Sequence, residues 1–296
     1  MNRTKKFLLI TVVILVLALA GHLYYLTTLA ATESYPADSY LSSEPLKKAL
    51  IIVAHDDDMV GSAGTISLLC AGGWNIREMC FYQSGGLYKV KDSLKNPVRK
   101  RDLQTVASLQ GLAGIDPVDF NFRNDMEQEK AYMPMPYSSF ATNYKEDPMT
   151  AIIGAYIEKY KPTVIFTLDD SIGGYGNPDH VLVSRLVLDY CRNHKYDPGF
   201  TVRKIYQPVF PPSLADRVLG SMPVYIEAKL VYQCRGMPLP NVQVDISSVG
   251  AKKKQAMKAY TTEQNSLKQI WPWYNWYPGR IYFSIFDRDF FRVVDI

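Results

Sequence analysis

The feature that most constrains the fold of this chain is an apolar run that ends in a charged turn, Lys48-Ala-Leu-Ile-Ile-Val-Ala-His55-Asp56-Asp57-Asp58. Its short length and β-branched residues predict a buried strand. The adjacent carboxylates repel one another, and a bound cation relieves that repulsion. Imidazole with carboxylate favours Zn²⁺ over Mg²⁺ or Ca²⁺. The simpler alternative is a solvated acidic loop that caps the next helix, although a cap needs only one carboxylate.

A second histidine-bearing turn follows another predicted strand, at 163–168. After that strand come Asp169 and a glycine-rich loop that ends in Asn177-Pro178-Asp179-His180. Asn followed by Pro predicts the start of a helix over 181–191, since Asn is a good N-cap and Pro suits the first helical position. Carboxyl ends of parallel strands meet at one edge of a sheet. His55 and His180 are therefore expected to lie together and to share a cation.

The remaining pattern alternates predicted strands and helices. This alternation predicts a Rossmann-like α/β three-layer sandwich with a mostly parallel sheet. Residues 126–146 show no period and are expected to form a long surface excursion. An aromatic tail at 270–277 precedes a final strand-like segment. The other predicted strands lie at 75–82, 117–122, 202–209, 224–232 and 242–246, and the other predicted helices at 59–71, 96–111, 149–160 and 248–263.

The amino-terminal segment has no Asp, Glu, Lys or Arg from Phe7 to Ala31. About 20 apolar residues suffice to cross a bilayer, so 1–31 is predicted to be a cytosolic tip and transmembrane helix, with a cleaved signal peptide as the alternative. Arg3, Lys5 and Lys6 precede the span, which places the domain outside the cytosol, or in the secreted fraction after cleavage. A linker is expected at 32–46 and one domain at 47–296.

Charge gives no argument for nucleic acid as a partner. Three of the 33 basic residues precede the apolar segment, so the rest nearly balance the 29 acidic residues. We therefore expect no nucleic-acid partner.

The two histidine turns, in this order and about 120 residues apart, resemble the motifs AHPDD and (H/N)PDH of the PIG-L/LmbE-like family of zinc-dependent N-deacetylases. The resemblance covers roughly 47–265. Arg99-Lys-Arg-Asp102 resembles the RxxE helix of the family, and Lys252 to Gln264 resembles its late helix.

The resemblance implies a zinc enzyme in which His55, Asp58 and His180 are the metal ligands. Asp57 would be the general base that activates water, and the Tyr175 hydroxyl would stabilise the oxyanion of the attacked amide. The implied substrate is an N-acetylated amino sugar of the N-acetylglucosamine type, which would lose its acetyl group.

Two implied contacts concern the sugar itself. Arg99 and Asp125 are candidates for binding substrate hydroxyls, with a structural ion pair as the alternative.

Three residues depart from the family pattern, and for one of them, Met59 in place of a frequent Glu, no role is assigned. Asp56 stands where the motif has Pro, and the added charge is expected to strengthen the pull on the metal. Asn177 stands where many relatives have a His that assists catalysis, and Asn has no titrating proton. Asn177 is thus either a weakened catalytic residue or a structural N-cap. This leaves open a metal-containing carbohydrate-binding protein with weakened catalysis, and a Mg²⁺ phosphoesterase as a third reading.

Overall fold

A computed structural model describes residues 3–82, 96–124 and 133–296. Within these residues, strands form one sheet in the order β3-β2-β1-β4-β5-β7-β6. Strands β1 to β5 are mutually parallel, whereas β7 runs antiparallel to both of its neighbours. The strands are β1 Lys48–Val53, β2 Asn75–Tyr82, β3 Gly114–Asp119, β4 Val164–Phe166, β5 Lys204–Pro208, β6 Val242–Asp245 and β7 Arg288–Asp295.

Helices cover both faces of the sheet, which confirms the predicted Rossmann-like sandwich. On one face, Met149 and Ile153 of α6 pack with Val181 and Leu188 of α8; on the other, Ile66 of α3 packs against β1 and β2. The helices are α1 Arg3–Thr27, α2 Tyr40–Ser43, α3 Ala63–Ala71, α4 Asn96–Gln110, α5 Phe140–Asn143, α6 Glu146–Tyr160, α7 Gly173–Gly176, α8 Pro178–His194, α9 Pro212–Leu219, α10 Pro223–Val231, α11 Gly250–Ala259, α12 Gln264–Ile270 and α13 Gly279–Tyr282.

The strand order reverses between β1 and β4. Strands β2 and β3 extend the sheet on one side of β1, while β4 and β5 extend it on the other. The connections leaving β1 and β4 therefore diverge, which opens a crevice at their carboxyl ends. Both histidine-bearing turns line this crevice.

One predicted element is wrong: residues 224–232 form helix α10 instead of a strand. Pro223 occupies the first helical position. Tyr225 and Ala228, three residues apart, are the buried side chains of the helix. The β-branched residues suggested a strand, but a helical period governs which side chains are buried.

The segment 32–46, expected as a linker, packs against the domain. The backbone N–H of Asp38 donates to the Gln243 carbonyl at 3.0 Å, and Leu41 is buried. The predicted excursion at 126–146 falls partly outside the described residues; in its described part, Phe140 and Tyr144 are buried against the core.

Helix α1 is long and apolar enough to cross a membrane. Its first five turns project from the domain, and Leu15 is 63 % exposed. Its end is different, because Leu26 is fully buried among the aromatic side chains of the carboxyl-terminal region. The ring of His22 stacks on Tyr277 and meets Trp273 edge-on.

Candidate metal centre

Three predicted ligands converge in the crevice. His55 Nδ1 lies 2.9 Å from His180 Nε2, and Asp58 Oδ1 lies 3.0 Å from His180 Nε2 and 3.6 Å from His55 Nδ1. Two ligands about 2.0–2.1 Å from one tetrahedral ion lie about 3.3 Å apart. The spacing of these three atoms therefore suits a single cation.

The partners of the two imidazoles leave both lone pairs facing the centre. His180 Nδ1 lies 2.9 Å from the Gly173 carbonyl, and His55 Nε2 lies 3.1 Å from Asp179 Oδ2. These nitrogens must donate, since carbonyl and carboxylate oxygens only accept. With both imidazoles neutral, as metal binding requires, His55 Nδ1, His180 Nε2 and Asp58 Oδ1 are three acceptors pointing at one another, an arrangement that a metal ion satisfies.

Local structure places each ligand. His55 follows β1 directly, and its backbone N–H donates to Asp58 Oδ2 at 2.8 Å, which closes the turn. Gly173 has a φ of +60°, and a side chain there would come within 2.7 Å of the His180 Cβ. A residue larger than glycine would therefore displace the carbonyl that orients His180.

Behind His55 lies a buried polar network that sequence reasoning missed. Asp179 is fully buried and accepts hydrogen bonds from His55, from the Tyr144 hydroxyl at 2.8 Å and from Arg123 Nε at 2.9 Å. Burial raises the pKa of Asp179, but Arg123 and His55 outweigh it and lower the pKa. A carboxylate behind a ligating histidine fixes the ring and raises its basicity.

Weak signals for this network were present in the sequence. Asp179 precedes His180 in the motif, and Arg123 follows the Phe-Asn-Phe segment directly after β3. No feature of the sequence indicated that Tyr144 belongs to this network.

The acidic cluster favours positive charge at the centre. Burial lowers the pKa of His55, but Asp58 and Asp179 outweigh it and raise the pKa to about 10. Burial raises the pKa of Asp58, whereas His180 and His55 lower it further, so the net pKa is well below its usual range.

The two other carboxylates of the turn have different environments. Asp57 lines the cavity in front of the centre. Burial raises its pKa to about 7, although Arg99 acts in the opposite direction. Asp56 is buried and points to Arg99 Nη2 at 2.5 Å. The charge of Asp56 is therefore balanced by Arg99 instead of being directed at the metal ligands as expected.

Four further residues were predicted as site residues: Tyr175, Asn177, Arg99 and Asp125. Tyr175 lines the cavity, and its ring contacts His180 edge-on. Asn177 is buried, caps α8 by accepting from the Asp179 N–H at 2.9 Å, and donates from Nδ2 to the Tyr175 hydroxyl at 3.3 Å. Arg99 binds Asp57 Oδ1 at 2.6 Å as well as Asp56. Asp125 lies outside the described residues.

Fold and site together define a Rossmann-like α/β protein with a His-Asp-His group that could hold a metal ion at the switch point of its sheet. Residues 50–191 match the model of the PIG-L family, described as GlcNAc-PI de-N-acetylase. The two histidine-bearing motifs lie within this match, and the match supports the resemblance that they indicated.

Comparison with individual proteins agrees with this resemblance. A relative in Thermobifida fusca (strain YX), 1D-myo-inositol 2-acetamido-2-deoxy-alpha-D-glucopyranoside deacetylase, is 28 % identical over 123 residues, which are 38 % of this chain and 42 % of the relative. The match thus spans less than half of that protein.

Two solved structures share the fold. N,N'-diacetylchitobiose deacetylase from Pyrococcus horikoshii has a TM-score of 0.50 at 18 % identity and covers 86 % of this chain and 89 % of its own. A deacetylase in complex with teicoplanin has a TM-score of 0.50 at 13 % identity and covers 84 % and 99 %.

Proposed function

We propose that this protein is a zinc-dependent N-deacetylase that removes acetate from an N-acetylated amino sugar. The observation that supports this most is the convergence of His55, Asp58 and His180 with Asp57 beside them in an open cavity. The names of the family model and of the Thermobifida fusca relative support the amino-sugar substrate.

His55, Asp58 and His180 would hold the metal, and their two nitrogens and one oxygen suit Zn²⁺ better than Mg²⁺. When bound, the ion would supply Lewis acidity for the amide carbonyl and acidify a water molecule.

Asp57 is proposed as the proton acceptor. A pKa near 7 leaves a useful fraction of the carboxylate ionised at neutral pH and still lets it hold a proton afterwards. Arg99 holds one carboxylate oxygen at 2.6 Å, which orients the group. Because Asn177 has no titrating proton, Asp57 would then deliver the proton it has taken to the leaving amine.

Tyr175 is proposed as the oxyanion donor. Its hydroxyl accepts from Asn177 Nδ2, so its own proton is directed away from that contact. Burial raises the pKa of Tyr175, which keeps the hydroxyl protonated. A protonated hydroxyl can donate to a developing oxyanion.

Arg99 and Asp125 stay proposed as contacts to substrate hydroxyls. Glu263, 4.0 Å from Arg99 Nη1, lines the cavity and is added as a candidate.

Helix α1 is proposed as a retained anchor that holds the domain outside the cytosol. The burial of Leu26 supports retention, because removal of α1 would leave an apolar hole in the aromatic cluster around Tyr274 and Phe283. Resistance of the membrane-bound protein to alkaline extraction, and protease accessibility from outside, would test anchor and orientation.

The central experiment measures metal content and acetate release with the full chain in lipid nanodiscs. We expect one zinc per chain and release of acetate from N-acetylglucosamine compounds. Asp57→Asn should retain the metal and lower kcat by about 10²–10⁴-fold. Asp197→Asn, at an exposed carboxylate paired with His194, serves as the matched control.

Other outcomes would decide between the alternative functions. Bound metal without Asp57-dependent acetate release would favour a carbohydrate-binding protein with weakened catalysis, a reading that the loss of a titrating group at Asn177 favours. Magnesium in place of zinc, with phosphate-ester hydrolysis, would favour a phosphoesterase.

A further inference from the structure

Helix α1 meets the domain before it is long enough to cross a bilayer. Lys6 is the last charged residue before the apolar stretch, and His22 contacts aromatic rings of the domain. The helix rises about 24 Å from Lys6 to His22, whereas the hydrocarbon core of a bilayer is about 30 Å thick. In the anchored state proposed above, His22 therefore lies at or just inside the outer boundary of the hydrocarbon core.

Several rings of the domain lie at the same level as His22. The His22 ring stacks on Tyr277 at 5.6 Å between centroids, meets Trp273 edge-on at 5.2 Å and lies 5.8 Å from Trp276. Tyr25, three residues further along α1, lies 5.7 Å from Trp273. We call these five side chains the His22 ring cluster. Trp and Tyr are enriched at membrane–water interfaces, so the composition of the cluster suits its level on α1.

Trp276 presents most of its indole to the surroundings on a fixed turn. Its side chain is 73 % exposed. Its backbone N–H donates to the Trp273 carbonyl at 2.8 Å, and Lys254 Nζ donates to the Asn275 carbonyl at 3.3 Å. An indole combines a large apolar surface with one N–H donor. Such a side chain suits the boundary between lipid headgroups and hydrocarbon better than it suits water.

The turn that carries Trp276 is joined to the core of the domain on both sides. The hydroxyl of Tyr274, which is fully buried, donates to Gln264 Oε1 at 2.6 Å. The hydroxyl of Tyr282, also fully buried, donates to the Pro272 carbonyl at 2.8 Å. Movement of the indole relative to the domain would break these contacts. A membrane contact of Trp276 would therefore act on the whole domain.

We propose that the His22 ring cluster is a membrane-contact surface of the domain, with Trp276 inserted between the headgroups and the hydrocarbon of the outer leaflet. The partner is the lipid bilayer itself. This inference rests on the proposal that α1 is a retained anchor and does not depend on the deacetylase function. A lone helix can tilt and rotate in the bilayer together with the domain. An indole inserted on one side of the helix limits both motions and fixes the orientation of the domain.

Fluorescence quenching of the full chain in phosphatidylcholine vesicles locates the indole. The emission of Trp276 is the difference between wild type and Trp276→Phe. Lipid with a nitroxide near the headgroup end of its acyl chain should quench this emission more than lipid labelled at the methyl end. Aqueous iodide should quench it at least about threefold less than it quenches an indole exposed to water.

Tyr196→Trp supplies the indole exposed to water. Tyr196 is 86 % exposed and follows the last residue of α8, His194. The first residues of α8 lie at the metal centre, whose cavity is also lined by Ala30 just after α1. Because α8 rises about 25 Å along its length, Tyr196 lies far from this edge of the sheet. Iodide should quench the added emission, and neither labelled lipid should.

The other outcomes would overturn the proposal. Iodide quenching of Trp276 as strong as that of the reference indole, or no quenching by either labelled lipid, would contradict a lipid contact. In the second case, protection from iodide would show that protein, such as a second copy of this chain, covers the indole. Stronger quenching by the methyl-end label would place Trp276 in the hydrocarbon core instead of at its boundary.

A separate measurement distinguishes failure of the anchor from failure of the surface. Release of the full chain from the vesicles by alkaline carbonate would contradict the retained anchor, and the membrane-contact surface with it. A chain that stays in the bilayer while iodide reaches Trp276 would overturn the surface alone. Acetate release from soluble N-acetylglucosamine compounds tests the deacetylase function independently of both.

Discussion

Asn177 makes two hydrogen bonds that hold neighbouring groups in place. Its Oδ1 accepts from the Asp179 N–H, which caps α8, and its Nδ2 donates to the Tyr175 hydroxyl. One contact uses the amide oxygen and the other an amide N–H, and the amide has no titrating proton. The structure therefore supports the N-cap reading of Asn177, with a positioning role toward Tyr175.

Two variants of Asn177 separate these roles. Asn177→Ser keeps an uncharged oxygen for the cap and loses the Nδ2 donor, so the free energy of unfolding should fall less than in Asn177→Ala while kcat falls. Asn177→Ala should lose about 1 kcal/mol of stability with the cap. Urea unfolding and acetate release measure the two effects. An unchanged kcat in Asn177→Ser would mean that the Tyr175 contact has no role in catalysis.

Asp179 is the second residue with a definite prediction. Asp179→Asn removes the charge that holds His55, so metal affinity should fall by about 10–100-fold. It also removes the carboxylate charge that Arg123 contacts at 2.9 Å, which should lower the free energy of unfolding. Competition titration with a zinc chelator gives the affinity. Asp197→Asn should change neither quantity, and equal zinc affinity in both variants would contradict a role for Asp179 in holding His55.

At the scale of elements, local sequence signals predicted the bounds of the strands and helices that depend on local sequence. Strand β2 and helix α4 lie within a residue of their predicted bounds, because burial period and end signals agree there. Strand β3 begins three residues earlier than predicted, since Pro117 sits inside this edge strand and not at its start. Helix α10 was missed because a short apolar run is compatible with both strand and helix.

The site residues also divide into those that local sequence signals predicted and those that they did not. His55, Asp58 and His180 could be predicted because each ends a strand or opens a helix within a recognisable motif. Arg123 and Tyr144 reach Asp179 from other loops, and only tertiary structure brings them there. Polar residues that act through long-range contacts have no characteristic spacing in the sequence.

The first turns of helix α1 project from the domain, whereas its end is buried in the domain. A matched pair of variants tests this difference. Leu26→Ala should destabilise the domain by about 2–5 kcal/mol, because Leu26 is fully buried. Leu15→Ala, at a side chain that projects from the domain, should have little effect. Thermal unfolding of the full chain in nanodiscs, followed by tryptophan fluorescence, gives the comparison. Equal shifts in the two variants would show that α1 is only a tether.

At the scale of the whole molecule, the crevice concentrates negative charge. Asp56, Asp57 and Asp58 follow β1, and Glu78 lies beside them on β2, only 2 % exposed. Burial raises the pKa of Glu78, and the three aspartates raise it further, to about 8. The metal-free protein therefore folds with a carboxylic acid that the unfolded chain would ionise at neutral pH.

This predicts how stability depends on pH. The ordinary Glu pKa is 4.5, so between pH 4.5 and about 8 the folded state holds a proton that the unfolded state releases. The contribution of Glu78 to the free energy of unfolding should then fall by about 1.4 kcal/mol per pH unit over this range and level off above it. Glu78→Gln should remove this contribution, so that the variant matches the metal-free wild type at pH 4 and exceeds its stability at pH 9. Urea unfolding with chelator at several pH values measures the difference, and Glu227→Gln, at an exposed carboxylate, should follow the wild type throughout. A stability difference between Glu78→Gln and wild type that does not change with pH would show that Glu78 is ionised in the folded protein.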